Sequence, residues 1–222
     1  MTYTKLIGTA CEKVILLIVR ALALSRIHPN VLTLMGLLVN GIAAALLAGG
    51  KFLAAGLVMM GAGLFDMVDG RVARHTNRVT RFGGFFDSVL DRYSDLVLLM
   101  GLLVYYASIN RFFYVVLTAV VMTASVMVSY TRARAECIIP SCKAGFMERP
   151  ERMVLLILGA LFDRMAPALW VIAVLGNITV IHRVIHTWQE TRRLEEAQLR
   201  PPGEADPHLA TERKAASRSG AA

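Results

Sequence analysis

The chain has 222 residues, 56% of them hydrophobic and only 18% charged, with a net charge of +8, and its mean hydropathy is +0.56. That balance excludes a soluble globular enzyme and a disordered chain, and it marks an integral membrane protein. No nucleic-acid partner is expected.

The first apolar run, 14–24, contains Arg20 and is too short to span a bilayer. Residues 1–28 therefore read as an N-terminal interfacial helix. No small-residue cleavage site precedes Arg26, His28 and Pro29, so the segment is expected to stay in the mature chain. Six further apolar runs follow at 30–50, 52–65, 96–107, 112–130, 153–162 and 165–181. Several fall short of the roughly 20 residues that cross about 30 Å of hydrocarbon, so their helices must borrow adjoining polar residues. The expectation is an all-α domain of six transmembrane helices over 29–191. For the second and third helices, the borrowed residues form the acidic stretch from Asp66 to Asp91.

Arg71, Arg74, Arg78, Arg81, Arg132, Arg134, Lys143, Arg149 and Arg152 fall in the connections after the second and fourth runs, against Lys51, Arg111 and Arg164 on the other side. Because Lys and Arg stay inside, both termini and the acidic stretch should face the cytoplasm of a multi-pass inner-membrane protein. Residues 192–222 are rich in Pro, Ala and charge and cannot bury enough surface to fold, so a disordered cytoplasmic tail is expected. Cys11, Cys137 and Cys142 form no metal-ligand pattern, and the five histidines lack zinc-protease spacing. Asn177-Ile-Thr fits a glycosylation acceptor but lies inside a predicted span. No long repeat and no P-loop is visible.

On a helix, Asp66, Asp69, Gly70 and Ala73 stand at i, i+3, i+4 and i+7 and share one face. Gly83, Asp87 and Asp91 share a face of the next helix, which must run antiparallel across a short loop. Two unit charges about 4 Å apart repel by roughly 4 kcal/mol at an effective dielectric of about 20, so four clustered carboxylates demand a countercharge. Oxygen-only ligands favour Mg²⁺ or Mn²⁺, and paired ions of this kind commonly clamp phosphoryl groups. Gly70 and Ala73 leave room for a ligand on that face, although small residues also let membrane helices pack closely. Pairing with nearby arginines is the competing account of the acids. Asp95, a turn further on, is expected to neutralise an arginine such as Arg92 or Arg74.

The order Asp66, Asp69-Gly70, Ala73-Arg74, Gly83, Asp87, Asp91 resembles the signature of the CDP-alcohol phosphatidyltransferases in every spaced position. The resemblance implies a six-span homodimer in membrane lipid that joins a CDP-activated lipid to an alcohol and releases CMP. It implies two metal ions on Asp66, Asp69, Asp87 and Asp91, with Asp91 also taking the proton of the acceptor hydroxyl. Gly70, Arg74 and Thr80 would contact the CDP-lipid, beside the small positions Ala73 and Gly83. Pro29, Asn30, Val31, Leu32 and Thr33 look like the family's Pro-Asn-x-x-Thr segment, which touches the nucleotide; Pro-Asn is also simply a good helix start.

Residues 130–156, with Ala-Arg-Ala-Glu followed by Glu-Arg-Pro-Glu-Arg, look like the phosphatidylinositol phosphate synthase branch. That likeness implies CDP-diacylglycerol as donor and inositol 1-phosphate as acceptor, with Arg132, Arg134, Arg149, Arg152 and Arg183 on the acceptor phosphate. Guanidinium forks suit phosphate oxygens, while positive-inside placement alone would also put arginines here. Glycerol 3-phosphate or free inositol is the alternative acceptor. A cation transporter is the alternative of another class, but its acids would line several spans in depth. A water-accessibility reporter at Arg78 is expected to map to the cytoplasmic side and one at Arg111 to the opposite side; Arg78 outside would reverse the topology.

Overall fold

The computed structural model describes residues 29–75 and 80–198. These form six helices, α1 (Pro29–Ala48), α2 (Phe52–His75), α3 (Arg81–Ser108), α4 (Phe112–Ala135), α5 (Arg149–Leu161) and α6 (Met165–Gln198), which fall on the six apolar runs. The expected interfacial helix at 1–28 and the chain beyond 198 lie outside the described residues. α6 continues past Arg192, where Arg192 pairs with Glu196 at 3.5 Å, Arg193 with Glu190 at 2.9 Å, and the Arg192 guanidinium lies 5.6 Å from the centre of the Trp188 ring.

Consecutive helices pair as hairpins through one repeated device. α1 to α2, α3 to α4 and α5 to α6 are each joined by three residues, whose middle member has a positive φ: 71° at Gly50, 55° at Asn110 and 52° at Asp163. In each, the next amide reaches back over the helix end, Lys51 to Leu46 O at 2.9 Å, Arg111 to Tyr106 O at 2.9 Å and Arg164 to Gly159 O at 2.7 Å. The middle residues close the inner bonds, Gly50 to Leu47 O at 3.0 Å, Asn110 to Ala107 O at 3.1 Å and Asp163 to Ala160 O at 3.3 Å. This is the Schellman geometry, which satisfies carbonyls a helix end leaves over. The basic residues Lys51, Arg111 and Arg164 all occupy its last position, next to the negative end of a helix dipole.

The helices close into a ring, with α1 against α2 and α3, α2 against α5, α5 against α6, α6 against α4 and α4 against α3. Its core is built of Leu98, Leu99 and Leu102 from α3, Ala43, Ala44 and Leu47 from α1, Met59 from α2, Leu117 and Val121 from α4, Leu156 from α5, and Leu169 and Ile172 from α6. Small residues bring backbones together where α3 crosses α1. A Cβ on Gly101 would lie 2.3 Å from the carbonyl oxygen of Ala44, so the contact is backbone to backbone.

Among the described residues two helices, Phe112–Ala135 and Met165–Glu196, are long and apolar enough to cross a membrane, and Thr33–Ala48 and Phe52–Gly63 are shorter apolar stretches. The α5 helix has 13 residues, about 20 Å of rise.

Gly101→Ala is expected to destabilise the bundle by about 1–3 kcal/mol, because no side-chain rotation relieves a clash with backbone. Gly61→Ala, where an added Cβ meets nothing within 4 Å, should be neutral or slightly stabilising. Unfolding midpoints in one detergent compare the two, and equal midpoints would contradict this account of the α1–α3 contact.

Candidate functional site

The candidate site residues that are described lie towards the end of the bundle away from the three tight turns, where α2 ends, α3 begins and α4 leads to α5. The α2 helix is continuous through Asp66, Asp69, Gly70, Ala73 and Arg74, so its register keeps 66, 69, 70 and 73 on one face. The side chains of 64–79 lie outside those described, as do those of Pro29 and Leu32. Beyond the loop, Thr80 is the N-cap of α3, and its Oγ1 accepts from the Gly83 amide at 2.9 Å. A Cβ at Gly83 would stand 2.9 Å from that oxygen and 3.6 Å from Oδ1 of Asn30. The start of α1, the Thr80 cap and Gly83 therefore meet at one place, which needs a residue without a side chain. Next to them Thr33 is half-buried and Val31 exposed.

One and two turns along α3 come Asp87, exposed, and Asp91, half-buried. Asp91 opens into a cavity of about 440 Å³ walled by α3, by Arg132 of α4, by Glu148 and Arg149 at the start of α5, and by Arg183 of α6. Arg149 pairs with Asp91 at 3.0 Å and reaches Asp95 at 3.6 Å. Arg132 donates to Glu136 at 3.1 Å and to Glu148 at 2.8 Å. Arg183, 1% exposed, donates to Glu148 at 2.9 Å, to the Ala144 carbonyl at 2.8 Å and to the Val128 carbonyl.

The loop 136–148 is pinned to α6 to make this possible. The Met147 amide donates to Thr179 Oγ1 at 3.1 Å, and Gly145 packs so closely that a Cβ there would lie 2.4 Å from the Thr179 methyl group. Its φ of 97° is a second reason for glycine. α5 then begins sharply, with Pro150 in its first turn and Glu151 accepting from the Glu148 amide at 3.1 Å.

The five arginines singled out in the sequence separate into three groups. Arg132, Arg149 and Arg183 share the cavity with Asp91. Arg134 instead edges an apolar groove of about 370 Å³ with Tyr130 and Trp188, on the far side of Arg183. Arg152 is buried and bonded to Asp95. Asp95 thus meets an arginine, as expected, but that arginine is Arg152 of α5 and not Arg92 of its own helix; the side chain of Arg74 is not among those described. Arg92 bonds the carbonyl of Ser88 on its own helix, whereas Asp95 lies on the buried face with Leu98 and Leu99, where Arg149 and Arg152 of α5 reach it. Glu148 is the residue that sequence reasoning missed: its place before Arg-Pro-Glu signals a helix start and nothing about the arginines it joins.

Among the described residues no three metal-ligating side chains come together. The donors that the signature supplies are nevertheless all carboxylate oxygens, Asp87 and Asp91 one turn apart on α3 and Asp66 and Asp69 one turn apart on α2. That donor chemistry fits a hard divalent ion.

The sequence model of the CDP-alcohol phosphatidyltransferases matches residues 26–189. Archaetidylinositol phosphate synthase of Methanothermobacter thermautotrophicus is 36% identical over 167 residues, 72% of this chain and 83% of that protein. Phosphatidylinositol phosphate synthase of Mycobacterium tuberculosis is 34% identical over 200 residues, 85% of this chain and 91% of that one. A crystal structure of the Mycobacterium tuberculosis phosphatidylinositol phosphate synthase with CDP-DAG bound superposes with a TM-score of 0.73 at 31% identity, covering 79% of this chain and 94% of that one. A second, in complex with manganese and citrate, gives 0.72 at 33% identity, over 77% and 87%.

Removing either partner of the buried pair, by Asp95→Ala or Arg152→Ala, is expected to cost about 3–5 kcal/mol, because the other charge is left uncompensated. Asp95→Leu combined with Arg152→Met should recover most of that loss. Thermal unfolding of the three variants in detergent decides it: single variants as stable as the parent would show that the pair holds nothing together.

Proposed function

Because this chain belongs to the CDP-alcohol phosphatidyltransferase family, we propose that it transfers the phosphatidyl group of CDP-diacylglycerol to a hydroxyl of inositol 1-phosphate, releasing CMP and forming phosphatidylinositol phosphate. The observation that carries the acceptor is the shared cavity, in which Asp91 of the signature stands with Arg132, Arg149 and Arg183. Planar guanidinium groups suit a phosphate ester and have little to offer an uncharged polyol. The names of the similar proteins, which are synthases of inositol phosphate lipids, support the same acceptor.

In this scheme the nucleotide end of the donor lies where Asn30, Thr80 and Gly83 meet, beside Gly70, Ala73 and Arg74, with Pro29, Val31, Leu32 and Thr33 at the start of α1. Asp66, Asp69, Asp87 and Asp91 would hold a divalent metal, two ions of Mg²⁺ or Mn²⁺. When bound, such ions neutralise the pyrophosphate and the charge that grows on the leaving phosphate. Arg132 and Arg183 orient the acceptor by its phosphate, and Asp91 accepts the proton of the attacking hydroxyl. The new oxygen–phosphorus bond forms at the β-phosphorus of the donor. The phosphoanhydride bond breaks, and CMP leaves with the bridging oxygen.

The same reading sets the chain in the inner membrane with six spans, an interfacial helix at 1–28, a cytoplasmic tail and the site at the cytoplasmic edge. There the acyl chains of the donor stay in lipid while the acceptor and CMP exchange with water. Membrane lipid and, in a homodimer, a second copy would cover the apolar side chains the bundle leaves exposed, among them Leu53, Phe112, Phe113 and Ile178. A cation pathway is disfavoured because Arg132, Arg149 and Arg183 stand beside the acids.

Purified protein with CDP-diacylglycerol and Mg²⁺ should release CMP on adding inositol 1-phosphate and not on adding inositol or glycerol 3-phosphate. Asp91→Asn should lower that rate at least about 100-fold with the fold intact. Turnover with inositol alone would refute the acceptor, and a fully active Asp91→Asn would remove Asp91 from the chemistry.

A further inference from the structure

One oxygen in the cavity does two jobs. Oε1 of Glu148 accepts from Arg132 at 2.8 Å and from Arg183 at 2.9 Å, drawing together guanidinium groups from α4 and α6. The two arginines are otherwise held very differently. Arg183 is buried and also tied to the carbonyls of Ala144 and Val128, so its position does not depend on Glu148 alone. Arg132 has a side chain 42% exposed and is held by two carboxylates, Glu136 of its own helix and Glu148. Its bonds to the two carboxylates use Nε and Nη1 and leave Nη2 to meet a ligand.

An exposed arginine gives up rotamer freedom when it is fixed. Two guanidinium groups beside each other also repel unless an anion lies between them. We infer that Glu148 is a positioning residue of the acceptor site: its carboxylate holds Arg132 against the fixed Arg183, so that both forks meet one phosphate group. This rests on the arginine cavity being the acceptor site. Without Glu148, Arg132 would follow Glu136 and solvent, and the phosphate would keep one preordered fork in place of two. Glu148 also caps α5, its amide donating to Glu151 at 3.1 Å and its side chain accepting from the Glu151 amide, a bond that Glu148→Gln keeps and Glu148→Ala loses.

Two variants and two readouts test it. Glu148→Ala should raise the KM for inositol 1-phosphate about tenfold, the effect of one lost charge-assisted bond, with the KM for CDP-diacylglycerol unchanged. Glu148→Gln keeps an accepting oxygen in the same place and should recover most of the loss. An unchanged or lower acceptor KM in Glu148→Ala, an equal rise in both KM values, or a Glu148→Gln no better than the alanine variant would each overturn the inference. The second readout is the affinity of each protein for inorganic phosphate, followed by thermal shift in detergent, which senses the two arginines whatever alcohol carries the phosphate. If the parent does not turn over inositol 1-phosphate, the acceptor assignment fails, and Glu148 stands or falls on phosphate binding alone: about tenfold weaker in Glu148→Ala upholds it, equal or tighter overturns it.

Discussion

A carboxylate on the buried face of α3, Asp95, can be ionised inside a helix bundle only if a cation meets it there, and Arg152 of α5 does so with 2% of its surface exposed. Much of the site follows from that contact. It brings the first turn of α5 over α3, and Arg149, one turn before Arg152, is thereby laid against Asp91 and Asp95. Glu148, next in line, reaches the arginines of α4 and α6. The pair thus places three consecutive functions, charge compensation, contact with Asp91 and the arginine bridge, within five residues of α5 and its cap.

The opposite end of the bundle is made the other way. Three Schellman turns of equal length fold the chain into three hairpins, and the close approach of α1 and α3 at Gly101 helps to seal the ring. The long connection 136–148 falls at the site end, as do the end of α2 and the start of α3. Polar chemistry is concentrated at one end because the other end is occupied by tight turns whose orphan carbonyls are already satisfied.

Six helices were legible in the sequence because each coincides with an apolar run, and the two halves of the acidic signature were legible because helical spacing puts each set on one face. The arginines were legible as a group but not as individuals. Arg132, Arg134 and Arg152 look alike in sequence, yet one lines the cavity, one faces an apolar groove and one is sealed against Asp95. Their difference depends on helix rotation and on what enters from α5, which local spacing does not carry. The hairpin repeat was invisible because Gly50, Asn110 and Asp163 share a backbone conformation and not a residue type. Glu148 was hidden for a related reason: both arginines that it joins lie far from it in the chain.

The central claim is that one cavity presents the acceptor's phosphate to arginines while its hydroxyl meets Asp91. Crystals grown with Mn²⁺ and inositol 1-phosphate test this directly through the anomalous signal of the metal and the density of the phosphate. The account predicts manganese against Asp66, Asp69, Asp87 and Asp91, with the phosphate on Arg132 and Arg183 and an inositol hydroxyl turned towards Asp91. Phosphate bound in the groove at Arg134, or manganese away from the aspartates, would contradict it.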